Sequence, residues 1–112
     1  MDEYELDRRV TKAVEDIISE IKIPHNILTY AIEPDVDDKY SIPFFVEVNG
    51  TFGLIHYFLD VYTYDEDITI KFIFDSVSFR DDEINDENTF KTIVEGINAI
   101  LDTIDTDMEI YI

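Results

Sequence analysis

The chain has 112 residues, with 27 Asp and Glu against 8 Lys and Arg, a formal net charge of −19 at pH 7. Apolar residues make up 46% of it, including 8 Phe and 7 Tyr, so the low hydrophobicity that accompanies high charge in disordered chains is missing. The absence of cysteine excludes disulfides and thiolate chemistry, and the shortage of bases makes nucleic acid and anionic membrane poor direct partners, because gripping phosphate needs cations.

A single folded domain over residues 1–112 is expected, since this length supports one hydrophobic core. No apolar run approaches the ~20 residues of a membrane span. The opening Met1-Asp2-Glu3-Tyr4-Glu5-Leu6-Asp7 lacks the apolar stretch of a secretory signal. A cytoplasmic location is the expectation.

Leu6, Val10, Ala13, Val14, Ile17, Ile18 and Ile21 recur at helical spacing, which predicts an amphipathic helix over 3–22. Asp2 can cap its start and Pro24 stops it. Ile27, Leu28, Tyr30 and Ile32 predict a strand over 26–33. An acidic loop from Pro34 to Lys39 leads to a second strand over 41–48, where Pro43 suggests an edge position. Asn49-Gly50 is the strongest turn signal, because both residues accept the positive φ of a two-residue hairpin. A long strand from Thr51 to about Tyr64 follows, with Gly53 a candidate bulge. After the turn Asp65-Glu66-Asp67, residues 68–79 alternate, with Ile68, Ile70, Phe72 and Phe74 on one side and Thr69, Lys71 and Asp75 on the other. Residues 80–88 read as an acidic loop, and residues 89–104 as a second helix carrying Phe90, Ile93, Val94, Ile97, Ile100, Leu101 and Ile104 on one face, capped by Asn88 or Asp86. Met108, Ile110 and Ile112 alternate with Glu109 and Tyr111, predicting a short closing strand. The order α-β-β-β-β-α-β predicts a two-layer α+β domain, an antiparallel sheet of four to five strands with both helices on one face.

Signatures of chemistry are sparse. None of the four serines lies in a Gly-x-Ser-x-Gly elbow. His25 reads as a loop residue, and His56, mid-strand between Ile55 and Tyr57, as structural. Three glycines cannot write a P-loop or a dinucleotide fingerprint. Acidic loops invite a metal, but an EF-hand needs Gly at position 6 and Glu at 12. Counted from Asp35 these are Tyr40 and Val46, and from Asp81 they are Asp86 and Thr92. No enzyme, cofactor or specific metal site is expected.

The charge itself is uneven. Residues 1–22 hold 7 acids and 4 bases, whereas residues 23–112 hold 20 acids and 4 bases, and no base follows Lys91. Asp81, Asp82, Glu83, Asp86 and Glu87 form the densest acidic run. Asp102, Asp105, Asp107 and Glu109 lie at or beyond the negative end of the second helix, where a cation would be favoured by roughly 0.3–1 kcal/mol. Tyr40, Tyr62, Tyr64 and Tyr111 stand beside acids, and tyrosine is enriched at binding hot spots. The acids of that run and of the C-terminal stretch, Asp81, Asp82, Glu83, Asp86, Glu87, Asp102, Asp105, Asp107 and Glu109, with Tyr111 as an anchor, form the candidate surface for a basic protein partner. Same-face residues of a strand repeat at about 6.6 Å, near the spacing of phosphates on an extended nucleic-acid strand. The expected function is therefore inhibition by nucleic-acid mimicry, in which carboxylates occupy a partner's basic nucleic-acid-binding surface, as in phage or mobile-element counter-defence. The alternative is an immunity protein for a basic toxin or a small secretion-type chaperone. A chaperone would expose a large apolar patch or a dimer face, whereas a mimic would show carboxylates with little apolar surface.

Overall fold

A computed structural model describes residues 1–36, 39–79 and 86–112. In chain order the elements are α1 (Glu3–Ile18), β1 (Leu28–Tyr30), β2 (Glu33–Pro34), β3 (Lys39–Val48), β4 (Thr51–Tyr64), β5 (Asp67–Phe79), α2 (Glu87–Thr103) and β6 (Glu109–Tyr111). The sheet is antiparallel throughout, in the order β1-β3-β4-β5-β6, with β2 pairing beside β1 on β3. The α+β architecture read from the sequence is the one observed. No helix among the described residues is long and apolar enough to cross a membrane.

The Asn49-Gly50 hairpin forms as its residues require, with φ of 51° and 79°. It sets β3 against β4 over ten residue pairs, from Val48 opposite Thr51 to Lys39 opposite Asp60. At the other end of β4, Asp65 takes the positive φ of the turn into β5, at 54°, a conformation that Asp and Asn tolerate better than most residues.

Both helices cover the same face, and their apolar stripes join the inward-pointing strand residues in one core. From α1 come Val10, Val14 and Ile18, and from α2 Ile93, Ile97 and Ile100. Beneath them lie Ile42, Phe44 and Val46 of β3, Ile55, Tyr57 and Leu59 of β4, and Ile68, Ile70 and Phe72 of β5. The helices divide this face. Near the start of α1, Tyr40 donates its hydroxyl hydrogen to Asp7 Oδ1 (2.8 Å) and Arg9 Nη1 donates to the Glu66 carbonyl (3.0 Å). The start of α2 lies at the Asn49 hairpin, where Asn49 Nδ2 donates to Thr89 Oγ1 (3.3 Å).

Several boundaries differ from the sequence reading. The helix expected over 3–22 ends at Ile18, and Ile21 reaches the core from a tight turn in which Glu20 and Ile21 bond back to the Ile17 and Ile18 carbonyls (3.0 Å each). Its last turn has no base, so Glu15 and Asp16 stand uncompensated at the negative end of the dipole. The strand expected over 26–33 is two short strands. The break between them accommodates Pro43. Its carbonyl accepts from Ala31 N–H (3.3 Å), so its missing N–H points at the same gap, where the ladder asks for no donor. Gly53 is no bulge. An added Cβ there would lie 2.8 Å from Ile97 Cδ1 and 2.9 Å from Ile93 Cγ2, so glycine lets α2 approach β4. The bulge is on β5, where the register shifts between His56 and Tyr57. The second helix begins at Glu87, two residues earlier than expected, because Asp86 takes the cap.

Candidate uncovered sheet face

The other face of the sheet has no helix over it among the described residues. Alternation sends Ser41, Pro43, Phe45 and Glu47 of β3 to this face, with Phe52, Leu54, His56, Phe58 and Asp60 of β4 beside them. From β5 come Lys71, Ile73 and Asp75. Most of these residues are half-buried by their neighbours rather than by a second layer. Phe45 stands opposite Leu54 and packs edge-to-face on Phe52, with ring centroids 5.9 Å apart. Phe58 stands between Ser41 and Ile73. The result is an apolar strip along the middle of an otherwise acidic molecule.

Charge frames the strip. At one end, register places Glu109, Lys71, Asp60 and Lys39 in one row across β6, β5, β4 and β3. Tyr111 and Tyr62 flank Thr69 in the next row. Tyr111 donates to Glu109 (3.0 Å), and this carboxylate raises the pKa of the exposed phenol above its ordinary value. Asp60 Oδ1 is buried without a hydrogen-bond partner among the described residues, while its Oδ2 is 3.4 Å from the Tyr62 hydroxyl. Glu47 and Glu33 complete the acidic edge on the β3 and β2 side.

At the centre three side chains join across three strands. Ser41 Oγ lies 2.5 Å from His56 Nε2, and His56 Nδ1 lies 2.8 Å from Asp75 Oδ2. An ionised carboxylate only accepts, so Nδ1 donates to Asp75, and in a neutral imidazole this leaves Nε2 as the acceptor facing the Ser41 hydroxyl. The ring is fixed by an edge-to-face contact with Phe58, centroids 4.7 Å apart. The bulge sets both Asp75 and Ser76 against His56, and Ser76 Oγ donates to Asp75 Oδ2 (3.3 Å). This extra residue also reverses the alternation beyond it, so Val77 packs on the core and Phe79 approaches Gly53 on the helix side.

The described residues among those expected to bind a partner are spread over the N-cap and body of α2, the connection that follows it and β6. Asp81, Asp82 and Glu83 lie outside the described residues. Asp86 caps α2, accepting from Asn88 N–H (3.0 Å) and Thr89 Oγ1 (2.9 Å). Glu87 opens the helix that Asp102 nearly closes, so these two carboxylates stand roughly 22 Å apart along the axis at about 1.5 Å per residue. Asp105 and Asp107 lie in the connection to β6, Asp107 with a positive φ of 63°. Asp105 also helps burial push the Tyr57 phenol up to about 12. Among the described residues of this set, Glu109 and Tyr111 alone stand on the uncovered face. The phosphate-like pairs expected along strands are absent too, because among the described strands no two carboxylates stand two residues apart. Nor do the described residues hold a cluster of three or more candidate metal ligands.

The Ser41–His56–Asp75 chain was missed because its members are spread over 35 positions without a local motif. Part of it was recoverable. The Asn49-Gly50 turn pairs residue 43 with 56 and residue 41 with 58, which puts Ser41 and His56 in adjacent rows of one face. Comparison with protein-family models, with curated proteins and with solved structures finds no match for this chain.

Proposed function

We propose that this chain is an acidic protein-binding module that takes a basic protein on the uncovered face of its sheet. The observation that supports this reading is the make-up of that face, an apolar strip of Phe45, Phe52, Leu54 and Phe58 edged by Glu33 and Glu47 and, at one end, by the mixed row of Glu109, Lys71, Asp60 and Lys39. Aromatic centres with polar rims are the anatomy of interfaces. A net charge of −19 selects a cationic occupant and opposes a second copy of the chain, which would bring like charges together. Where the partner's basic surface is one that grips nucleic acid, docking here blocks it, and the module acts as an inhibitor. The apolar strip favours a second reading as well, a secretion-type chaperone or immunity protein that shields an apolar and basic segment of its partner.

The test is capture of partners by the tagged chain at low and high salt, repeated with Phe45→Asp and with Asp60→Lys/Glu109→Lys, followed by competition with nucleic acid. A basic partner whose capture weakens with salt and with the face variants supports docking on the sheet. Release of that partner by nucleic acid supports inhibition, whereas a ternary complex with nucleic acid rules mimicry out. Capture that survives both face variants but is lost on reversing Asp81, Asp82 and Glu83 to Lys would move the site to that loop.

A further inference from the structure

We propose that Ser41 is a nucleophilic serine, with His56 as its general base and Asp75 as the positioning residue, and that it takes the acyl or phosphonyl group of an activated aryl ester or phosphonyl halide. The inference is independent of partner docking and rests on geometry. A nucleophile, a base in hydrogen-bond reach of it and a third group orienting the base are the arrangement that activates a serine. Here the two distances are 2.5 and 2.8 Å. The carboxylate holds the imidazole in the tautomer that leaves Nε2 free to accept the serine proton. A bulge beside the relay is a second mark, since bulges aim side chains and are over-represented next to active sites. The position is open to solvent, with the His56 side chain 17% and the Asp75 side chain 42% exposed.

The same sheet that builds the relay limits what it can do. Ser41 pairs with Glu33 on one side and Phe58 on the other, and Pro43 has no N–H. Ladder-paired backbone leaves no preorganised donors for an oxyanion, a lack that costs on the order of 100- to 1,000-fold in such reactions. The substrates are therefore those that need little oxyanion stabilisation, carrying acidic leaving groups. Phe58, directly opposite Ser41, offers an aromatic surface for an aryl ester. With an aryl ester, Ser41 Oγ bonds to the carbonyl carbon, its proton passes to Nε2, the bond to the phenolate breaks, and the departing phenolate takes the proton from Nε2 and leaves as the phenol. Water then attacks the acyl-serine, gives its proton to Nε2, and Ser41 leaves with a proton regained. With a fluorophosphonate the P–F bond breaks, fluoride leaves, and the serine adduct persists.

The test is labelling of the chain with a fluorophosphonate, followed by intact mass and peptide mapping. A single adduct on Ser41 is expected, lost in Ser41→Ala and slowed on the order of 100-fold in His56→Gln. Asp75→Asn should slow it less, and Asp75→Glu should restore most of the rate, which a merely structural role for Asp75 would not produce. Far-UV circular dichroism verifies that each variant is folded, and the Asp75 pair carries the test if His56→Gln is not. Labelling of Ser41 no faster than that of Ser19, Ser76 and Ser78, or unchanged in both His56→Gln and Asp75→Asn, would overturn the proposal.

Discussion

The two faces of this sheet are made by the same strands and obey different rules. On the covered face Ile, Val, Leu and Phe fill the space under α1 and α2, and the Tyr57 hydroxyl finds the Ile104 carbonyl at 2.8 Å. On the uncovered face Phe and Leu alternate with Ser, His, Asp and Lys, and Ser41, His56 and Asp75 partner one another across strands. Only burial by the helices separates a core from a surface here, because alternation delivers both sets of residues equally. The difference shows where variation is costly for the fold and where it is free to serve a partner or a substrate.

Adjacent residues test that contrast most directly. Phe44 is fully buried against Tyr57 at 5.9 Å, edge-to-face, and Phe44→Ala is expected to cost about 3–5 kcal/mol in denaturant unfolding. Phe45→Ala, one residue along on the other face, should cost about 1 kcal/mol or less. Equal costs would mean that something covers the second face as well. Gly53→Ala should cost about 1–3 kcal/mol, since the new methyl meets stiff Ile side chains on α2.

Tyr57→Phe leaves the Ile104 carbonyl without its donor, a loss of about 1–3 kcal/mol. The sign of its pH dependence follows from a phenol raised from 10.0 to about 12. Its contribution is complete below pH 10 and is lost as the pH climbs through about 12. Unfolding curves of the wild type should therefore weaken across this window more than those of Tyr57→Phe. Asp86→Ala removes the cap of α2 and should cost about 1 kcal/mol, measurable as a lower midpoint in thermal or urea unfolding. The smallest effect is expected on the uncovered face, where Tyr111→Phe should leave stability within about 0.5 kcal/mol while abolishing the raised phenol titration.

Much of the frame was legible in order of residues. The Asn49-Gly50 turn set the register of β3 and β4 because two positive φ values in succession admit few other residues. The alternation of β5 and the periodicity of both helices named the core residues of those three elements, while those of β3 and β4 emerged only with the pairing of the sheet. What failed was local competition. The break between β1 and β2 depends on a proline in the neighbouring strand, and Gly53 on the approach of a helix far along the chain. The candidate partner surface was read from charge density along the chain, and of its described residues Glu87 and Asp102 stand near opposite ends of α2.

The sequence by itself determined the number and kind of the main elements, the hairpin register and the excess of negative charge, because periodicity, turn chemistry and composition are local or additive. Tertiary structure decided which face the helices cover, where the bulge falls and which polar groups meet. Ser41, His56 and Asp75 become neighbours only when three strands pair in one register. That juxtaposition depends on the summed burial of the core rather than on any preference of the residues themselves.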